Sequence, residues 1–488
     1  MNNKNRKFYI TTTLPYVNAD PHIGFALEII QADVIARYHQ SLGEEVFFNT
    51  GVDEHGLKIY RKAQEENLDP QEYCDIYAKK FDDLKKSLNL SYNNFIRTTD
   101  KYHIKSTQEF WKLCEKSGDI YKKNYKIKYC VGCELEKTES ELVNGKCSIH
   151  PNLELEIIEE ENYFFKYSKY QEKLLDFYEK NPNFVIPEKR FNEIKEFTKR
   201  GLEDFSISRL KEKMPWGIEV PGDEKHVMYV WFDALVNYVS ALGFPADKQK
   251  FNDFWPGLQV AGKDNLRQQT SMWQAMLLSA GLPHSKQIFI HGFITANGQK
   301  MSKSLGNVIN PFDLVEKYGT DAVRYYLLRE LNPVEDGDFT YEKFEQRYNS
   351  DLAGGIGNLV ARTLGVANKI SNFQFSISNK FSNSNLQIKI EEVKKEYKLA
   401  IESFKFNEAL SSVWEIISFC DKYINEEKLW ETPSTSSGQA KKLEVISDLF
   451  FAIKEIAVLL EPFLPETSEK IKQQLENKKS EILFPRLG

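Results

Sequence analysis

Phe8-Tyr-Ile-Thr-Thr-Thr13, Leu14-Pro-Tyr16, the helical run from about Ile23 to Leu42, Gly43 and Glu45–Thr50 decide the fold. Phe8–Thr13 is β-branched and aromatic, which favours a strand, and Leu14-Pro15-Tyr16 breaks it. Ile23, Ala26, Leu27, Ile30, Val34 and Tyr38 then recur at helical spacing. Gly43 suits a helix C-cap. Glu45–Thr50 reads as a second strand and Gly51-Val-Asp-Glu-His-Gly56 as the loop after it. Strand, loop, helix, strand opens a parallel α/β sheet. Such sheets bind ligands beyond the carboxyl ends of their strands, where both of these loops fall.

Outward from this core, the α/β pattern resumes near Val227–Phe232, Leu258–Val260 and Gln287–Ile290. Between the halves, residues from about 116 to 170 are rich in Lys, Glu, Tyr and Asn. They hold short strand-like runs such as Tyr125–Tyr129 and read as an insertion. After about residue 341 the pattern is helical to the end, interrupted by the Ser/Thr-rich loop Thr432–Gly438. There is no internal repeat.

A chain of 488 residues suggests about three domains. Hydrophobic residues make up 41% and aromatics 13%, enough for sizeable cores, which excludes a disordered chain. No apolar run approaches the roughly 20 residues of a membrane span. The polar start Met1–Lys7 lacks an apolar signal core, so a cytoplasmic protein is expected. The net charge of −6 disfavours a non-specific basic coat for nucleic acid. It still allows a nucleic-acid enzyme, whose positive charge need only be local.

Three of the six cysteines crowd together as Cys130-x2-Cys133-x13-Cys147-x2-His150. Two ligand pairs across a short loop match a zinc knuckle; four protein ligands close the site and make it structural. The alternative, three buried thiols and a surface histidine, is disfavoured by the spacing. Cys74, Cys114 and Cys420 have no such partners and are expected in the core.

Two further segments carry chemistry. Lys300-Met-Ser-Lys-Ser304 sets two compact charges among small hydroxyls, which suits a loop closing on polyphosphate; the bland alternative is a solvated basic loop. Pro21-His-Ile-Gly-Phe25 sits at the mouth of the first helix, where free N–H groups and the helix dipole favour an anion. His22 would donate to phosphate, and Gly24 would let adenine or ribose lie on the backbone; a capping histidine is the alternative. No Walker A sequence or Gly-x-Gly-x-x-Gly is present.

Together these two segments resemble the HIGH and KMSKS signatures of class I aminoacyl-tRNA synthetases. Leu14-Pro-Tyr-Val-Asn18, Gly51–Gly56, Gly201-Leu-Glu-Asp-Phe-Ser-Ile-Ser-Arg209, Val230-Trp-Phe-Asp-Ala-Leu235 and His291-Gly-Phe-Ile294 narrow the resemblance to the methionyl-tRNA synthetase family. It covers about residues 7 to 430.

The resemblance implies an α/β, Rossmann-like catalytic domain with a zinc-bearing connective insertion, followed by an all-α anticodon-binding domain. The boundaries it suggests are 1–115 and 226–295 for the catalytic halves and 116–225 for the insertion and return. Residues 296–345 would form the lysine loop and stem-contact region, and 346–488 the helical domain. The implied reaction is ATP-dependent activation of L-methionine and its transfer to the 3′ end of tRNA(Met), initiator tRNA included. Another class I synthetase and a degenerate, non-catalytic tRNA-binding paralogue are the alternatives. A large editing insertion, as in the leucyl, isoleucyl and valyl enzymes, has little room here, and no cysteine follows the first strand as a cysteinyl enzyme would need.

By resemblance, the Leu14 carbonyl and Asp53 hold the methionine ammonium. Tyr16, Trp231, Ala234, Leu235, Tyr238, Gln269 and Trp273 line the thioether pocket, where sulfur beside aromatic rings is favourable by roughly 0.3–1.5 kcal/mol. His22, Gly24, Gly262, Asp264, Ile294, Lys300, Ser302 and Lys303 meet ATP with its Mg²⁺, and His22, Lys300 and Lys303 are catalytic. Asn358, Arg362 and Trp430 read the anticodon; an ordinary helix polar face and a core tryptophan are the alternative. One structural Zn²⁺ is expected on Cys130, Cys133, Cys147 and His150. The chain departs from the family at Phe25 (second histidine of HIGH), Asn265 (an apolar residue), Gln269 (histidine) and Leu429 (proline). It ends at Gly488 without the appended tRNA-binding domain that some relatives use to dimerise, so a monomer is expected.

Overall fold

The computed structural model describes residues 6–133, 135–137, 142–301, 306–369, 381–431 and 436–488. They form two compact units. The first comprises Met1–Pro21, His39–Lys85 and Ser91–His291, and the second His22–Tyr38, Lys86–Leu90 and Gly292–Gly488.

The first unit is built on a six-stranded sheet. Its order in space is Asn94–Arg97, Glu45–Val52, Lys7–Thr12, Leu258–Gly262, Gln287–His291 and Val185–Ile186. All five pairings are parallel. A parallel sheet covered on both faces reads as near-continuous apolar runs rather than as an alternation. Leu258–Gly262 is buried throughout, and Lys7–Thr12 is buried after its first residue. The chain leaves the first strand towards one edge and returns beside it as Leu258–Gly262. The two carboxyl ends at this reversal frame the crevice such sheets use for ligands.

The insertion forms its own antiparallel sheet. Ile120–Cys130 pairs with Glu156–Phe165, flanked by Leu135–Lys137 and Phe205–Ser206. The expectation for Val227–Phe232 is corrected. Asp223–Met228 is an antiparallel strand between Ser208–Leu210 and Glu219–Val220, and Val230–Leu235 is helical. The apolar run was too short to tell a strand from a buried helix by periodicity alone. Cys74, Cys114 and Cys420 are buried, as expected.

The second unit holds a small sheet of Gln299–Lys300, Ile294–Ala296 and Gly337–Phe339. Helices follow, including Thr320–Arg329, Asn358–Ala367, Ser384–Glu402, Phe406–Glu426, Ser436–Leu460 and Pro465–Asn477. Arg324 and Asp33, both fully buried, are paired at 2.8 Å. The same guanidinium donates to the carbonyls of Phe463 at 2.7 Å, Pro462 at 3.0 Å and Leu88 at 3.1 Å. A buried charge is tolerated when it is paired and its remaining donors are used. Among the described residues, no helix is long and apolar enough to cross a membrane.

Candidate active site

In the first unit, Leu14-Pro15-Tyr16 leaves the end of strand Lys7–Thr12. Asp53 N–H donates to the Pro15 carbonyl at 2.9 Å, and Val17 N–H donates to the Asp53 carbonyl at 3.2 Å. This bridge holds Asp53 beside Tyr16 at the end of the neighbouring strand. The Asp53 carboxylate is buried and accepts from the His55 N–H at 3.3 Å.

Two residues on from Asp53, His55 Nδ1 lies 2.6 Å from the fully buried Asp233 carboxylate, and His103 Nε2 lies 2.8 Å from its other oxygen. His103 Nδ1 continues to Ser240 Oγ at 2.8 Å. Burial alone would raise Asp233, but His55 and His103 outweigh it and hold the carboxyl below its ordinary value. Asp233 therefore pins the short helix Val230–Leu235, which carries Trp231, Ala234 and Leu235, to the Asp53 loop. Sequence reasoning missed this network. His55 and Asp233 both stood inside quoted segments, but nothing in the sequence pairs residues 178 positions apart.

The expected thioether-pocket residues fall into two packed groups. Tyr16 and Trp231 meet edge to face, ring centroids 6.4 Å apart, against Tyr129, Tyr229 and Val230. Leu235, Tyr238 and Trp273 belong to the main core, with Tyr238 and Trp273 rings 5.8 Å apart. Ala234 is buried between them in sequence. The indole nitrogens of Trp231 and Trp273 are buried without a hydrogen-bond partner among the described residues.

Gly262 ends its strand where a Cβ would stand 2.8 Å from Asp264 Oδ1, so glycine lets that carboxylate turn back over the strand end. Asn265, where the family has an apolar residue, donates to the same Asp264 oxygen at 3.2 Å. Its amide serves Asp264. Gln269 is buried and donates to Tyr238 OH at 2.7 Å.

In the second unit, the mouth of helix Ile23–Ser41 corrects one expectation. Its first N–H groups are already used. Ile23 donates to the Ile309 carbonyl at 3.0 Å, Gly24 to His22 Nδ1 at 3.0 Å, and Phe25 and Ala26 to the His22 carbonyl at 3.0 and 3.2 Å. The backbone here satisfies itself instead of facing an anion bare. Nδ1 of His22 is an acceptor, which leaves Nε2–H of the neutral ring as its donor.

A Cβ at Gly24 would lie 2.8 Å from the His22 ring and 3.9 Å from Met301, so the two signature segments meet here. Lys300 is exposed at the end of its strand, paired in register with Thr295, and its carbonyl accepts from Asn307 at 3.2 Å. Ile294 is buried at the start of the adjoining strand. Ser302 and Lys303 lie outside the described residues. Phe25 is buried, so the missing histidine is replaced by a core side chain.

Cys130, Cys133, Cys147 and His150 bring four ligand atoms within 4.8 Å of one another. Cys133 Sγ lies 3.5 Å from Cys147 Sγ and 3.2 Å from His150 Nδ1, and Cys130 Sγ lies 3.8 Å from the same nitrogen. Tetrahedral bonds of about 2.3 Å put neighbouring sulfurs roughly 3.7 Å apart. The cluster can hold a metal ion. Gly132 is required there, since a Cβ would stand 2.7 Å from the His150 ring.

Asn358 and Arg362 lie one turn apart on helix Asn358–Ala367. Arg362 reaches helix Phe406–Glu426, donating to Asn425 Oδ1 at 2.8 Å and Asp421 Oδ1 at 3.3 Å. Trp430, just beyond that helix, is 59% exposed, whereas Leu429 is buried. The core-tryptophan alternative is thereby overturned.

A parallel sheet whose chain path reverses at its centre, an insertion with a cluster that can hold a metal ion, and a helical C-terminal region match the architecture of a class I tRNA synthetase. The family model for "tRNA synthetases class I (M)" matches residues 8–149 and 132–364, and that for the anticodon-binding domain of tRNA ligases matches 385–486. Methionine–tRNA ligase of Thermotoga maritima is 43% identical over 95% of this chain and 74% of its own length. That of a Nostoc species is 42% identical over 97% of this chain and 91% of its own. A solved Mycobacterium tuberculosis methionyl-tRNA synthetase in complex with methionyl-adenylate superposes with a TM-score of 0.91 at 34% identity, covering 97% of this chain and 95% of that one. The chain belongs to the methionyl-tRNA synthetase family.

Proposed function

We infer that this protein is a methionine–tRNA ligase acting in the cytoplasm as a monomer. The observation that carries the reading is the joining of three placements in the first unit. Asp53 is bridged to the Leu14–Tyr16 turn, Trp231 packs on Tyr16, and Asp233 ties the Trp231 helix to the Asp53 loop. A carboxylate beside an aromatic, largely apolar group fits an amino acid with an ammonium at one end and a thioether at the other.

The Leu14 carbonyl and Asp53 would hold the ammonium. Tyr16, Trp231, Ala234, Leu235, Tyr238, Gln269 and Trp273 would enclose the side chain. Gly262, Asp264, Gly24 and Ile294 would take the adenosine. The methionine carboxylate attacks the α-phosphorus, the bond to the β-phosphate oxygen breaks, and pyrophosphate leaves with its charge. His22 Nε2–H, Lys300, Ser302 and Lys303 would stabilise that charge, the main task of catalysis in phosphoryl-type transfer. Mg²⁺ accompanies the ATP. The terminal ribose hydroxyl of tRNA(Met), elongator or initiator, then attacks the acyl carbon and AMP departs. Class I membership favours the 2′-OH.

The cluster of Cys130, Cys133, Cys147 and His150 would bind one Zn²⁺ with no open position, which gives it a structural role. Asn358, Arg362 and exposed Trp430 would read the anticodon, with the indole as a stacking plane. The five-part division expected from the sequence is retained as the functional map. ATP–pyrophosphate exchange across the twenty amino acids tests the reading. Exchange with methionine alone is expected; exchange with another amino acid, or with none, rejects it.

A further inference from the structure

Gln269 replaces a histidine of the family, and the structure joins it to a buried chain of amides. Ser285 N–H donates to Gln274 Oε1 at 3.1 Å. Gln274 Nε2 donates to the Gln269 carbonyl at 2.8 Å and to Ser285 Oγ at 3.1 Å. Ser285 Oγ lies 2.6 Å from Gln259 Oε1. Gln259 Nε2 donates to Gln269 Oε1 at 3.2 Å, and Gln269 Nε2 to Tyr238 OH at 2.7 Å. Ser285, Gln274, Gln259, Gln269 and Tyr238 are each 3% exposed or less.

The direction of this chain is forced. A backbone N–H is only a donor and a backbone carbonyl only an acceptor, so Gln274 has a single workable orientation between them. Its amide therefore donates to Ser285 Oγ. Ser285 Oγ already accepts from Gln274, and its own proton goes to Gln259 Oε1 at 2.6 Å. That turns the Gln259 amide towards Gln269 Oε1, and the Gln269 amide towards Tyr238. Flipping any one glutamine would face two donors or two acceptors in a buried site, at a cost comparable to a lost hydrogen bond. A backbone N–H at residue 285 thus dictates that Tyr238 oxygen accepts from Gln269, which restricts where the phenol can send its own proton.

We propose that Gln259, Gln274 and Ser285 are positioning residues for methionine selectivity, acting through Gln269 to fix the Tyr238 hydroxyl. This rests on the reading that Tyr238 borders the thioether. A thioether has a lone pair that an oriented phenol can address, whereas the methylene of norleucine has none, so only methionine senses the relay.

The test is pyrophosphate exchange with methionine and with norleucine on the wild type, Gln259→Leu, Ser285→Ala and Ser285→Thr. Gln259→Leu and Ser285→Ala are expected to raise the methionine KM about tenfold at unchanged kcat and to leave norleucine kcat/KM unchanged. The methionine-to-norleucine ratio then falls about tenfold, and Ser285→Thr restores it. Ser285→Ala removes one oxygen only, so it carries the test if Gln259→Leu fails to fold. Parallel losses for both amino acids, or an unchanged ratio in folded variants, overturn the relay while leaving the ligase reading intact. A wild type that exchanges with norleucine but not methionine, or with neither, overturns both.

Discussion

His22, Gly24 and Phe25 carry different kinds of information although they are neighbours. The ring of His22 is held by the Gly24 N–H, and a Cβ at 24 would intrude 2.8 Å from it. Gly24→Ala should therefore displace His22 and, given the phosphate-binding role proposed for that ring, lower the rate of pyrophosphate exchange by up to about 100-fold. Alanine favours a helix over glycine by about 1 kcal/mol, so the melting temperature should hold or rise. A fall in stability together with activity would point to packing instead. Phe25 shows the limit of reading such a motif letter by letter. Compared with the family it is a missing donor, yet in the fold it is buried, and a histidine there would have to bury a polar ring.

At the scale of elements, the insertion and the helical unit rest on different physics. Four side chains on short strands and turns form the cluster proposed to hold zinc, so the local order of the insertion should depend on the ion. The purified protein is expected to contain about one zinc per chain. Cys147→Ser, or exhaustive chelation, should remove it and expose the insertion to protease, while exchange persists. Metal analysis finding none in protein purified without chelator rejects the knuckle. In the second unit, Arg324 joins three backbone carbonyls to Asp33. Arg324→Met takes one of two paired guanidiniums from the buried Asp33 carboxylate, and breaking a buried pair costs about 3–5 kcal/mol. An exposed pair such as Lys472–Glu461 should contribute no more than about 1 kcal/mol. Urea unfolding of Arg324→Met and Lys472→Ala separates the two, and similar values for both would refute the contrast.

For the whole molecule, adenylate chemistry and tRNA choice should be separable. Trp430 is largely exposed, so Trp430→Ala should leave the melting temperature and pyrophosphate exchange near wild type. Stacking on one aromatic is worth about 1–3 kcal/mol per base, which predicts a tenfold to hundredfold loss in aminoacylation through tRNA KM. Equal losses in exchange and aminoacylation would remove Trp430 from tRNA recognition.

The sequence by itself determined what depends on local pattern and spacing. The first strands and helix came within a residue or two of their ends, the ligand set Cys130, Cys133, Cys147 and His150 came from spacing alone, and the signature segments came from their residue types. Those features repeat over a few positions, so neighbouring residues suffice to reveal them. Only the tertiary structure decided which partners each group finds: that the N–H groups at the mouth of the first helix are already satisfied, that Asp233 lies between His55 and His103, and that a serine at 285 orients a phenol at 238. Buried polar groups must find hydrogen-bond partners wherever the fold supplies them, a few residues away as at His22 or more than a hundred as at Asp233, at no period that a sequence displays.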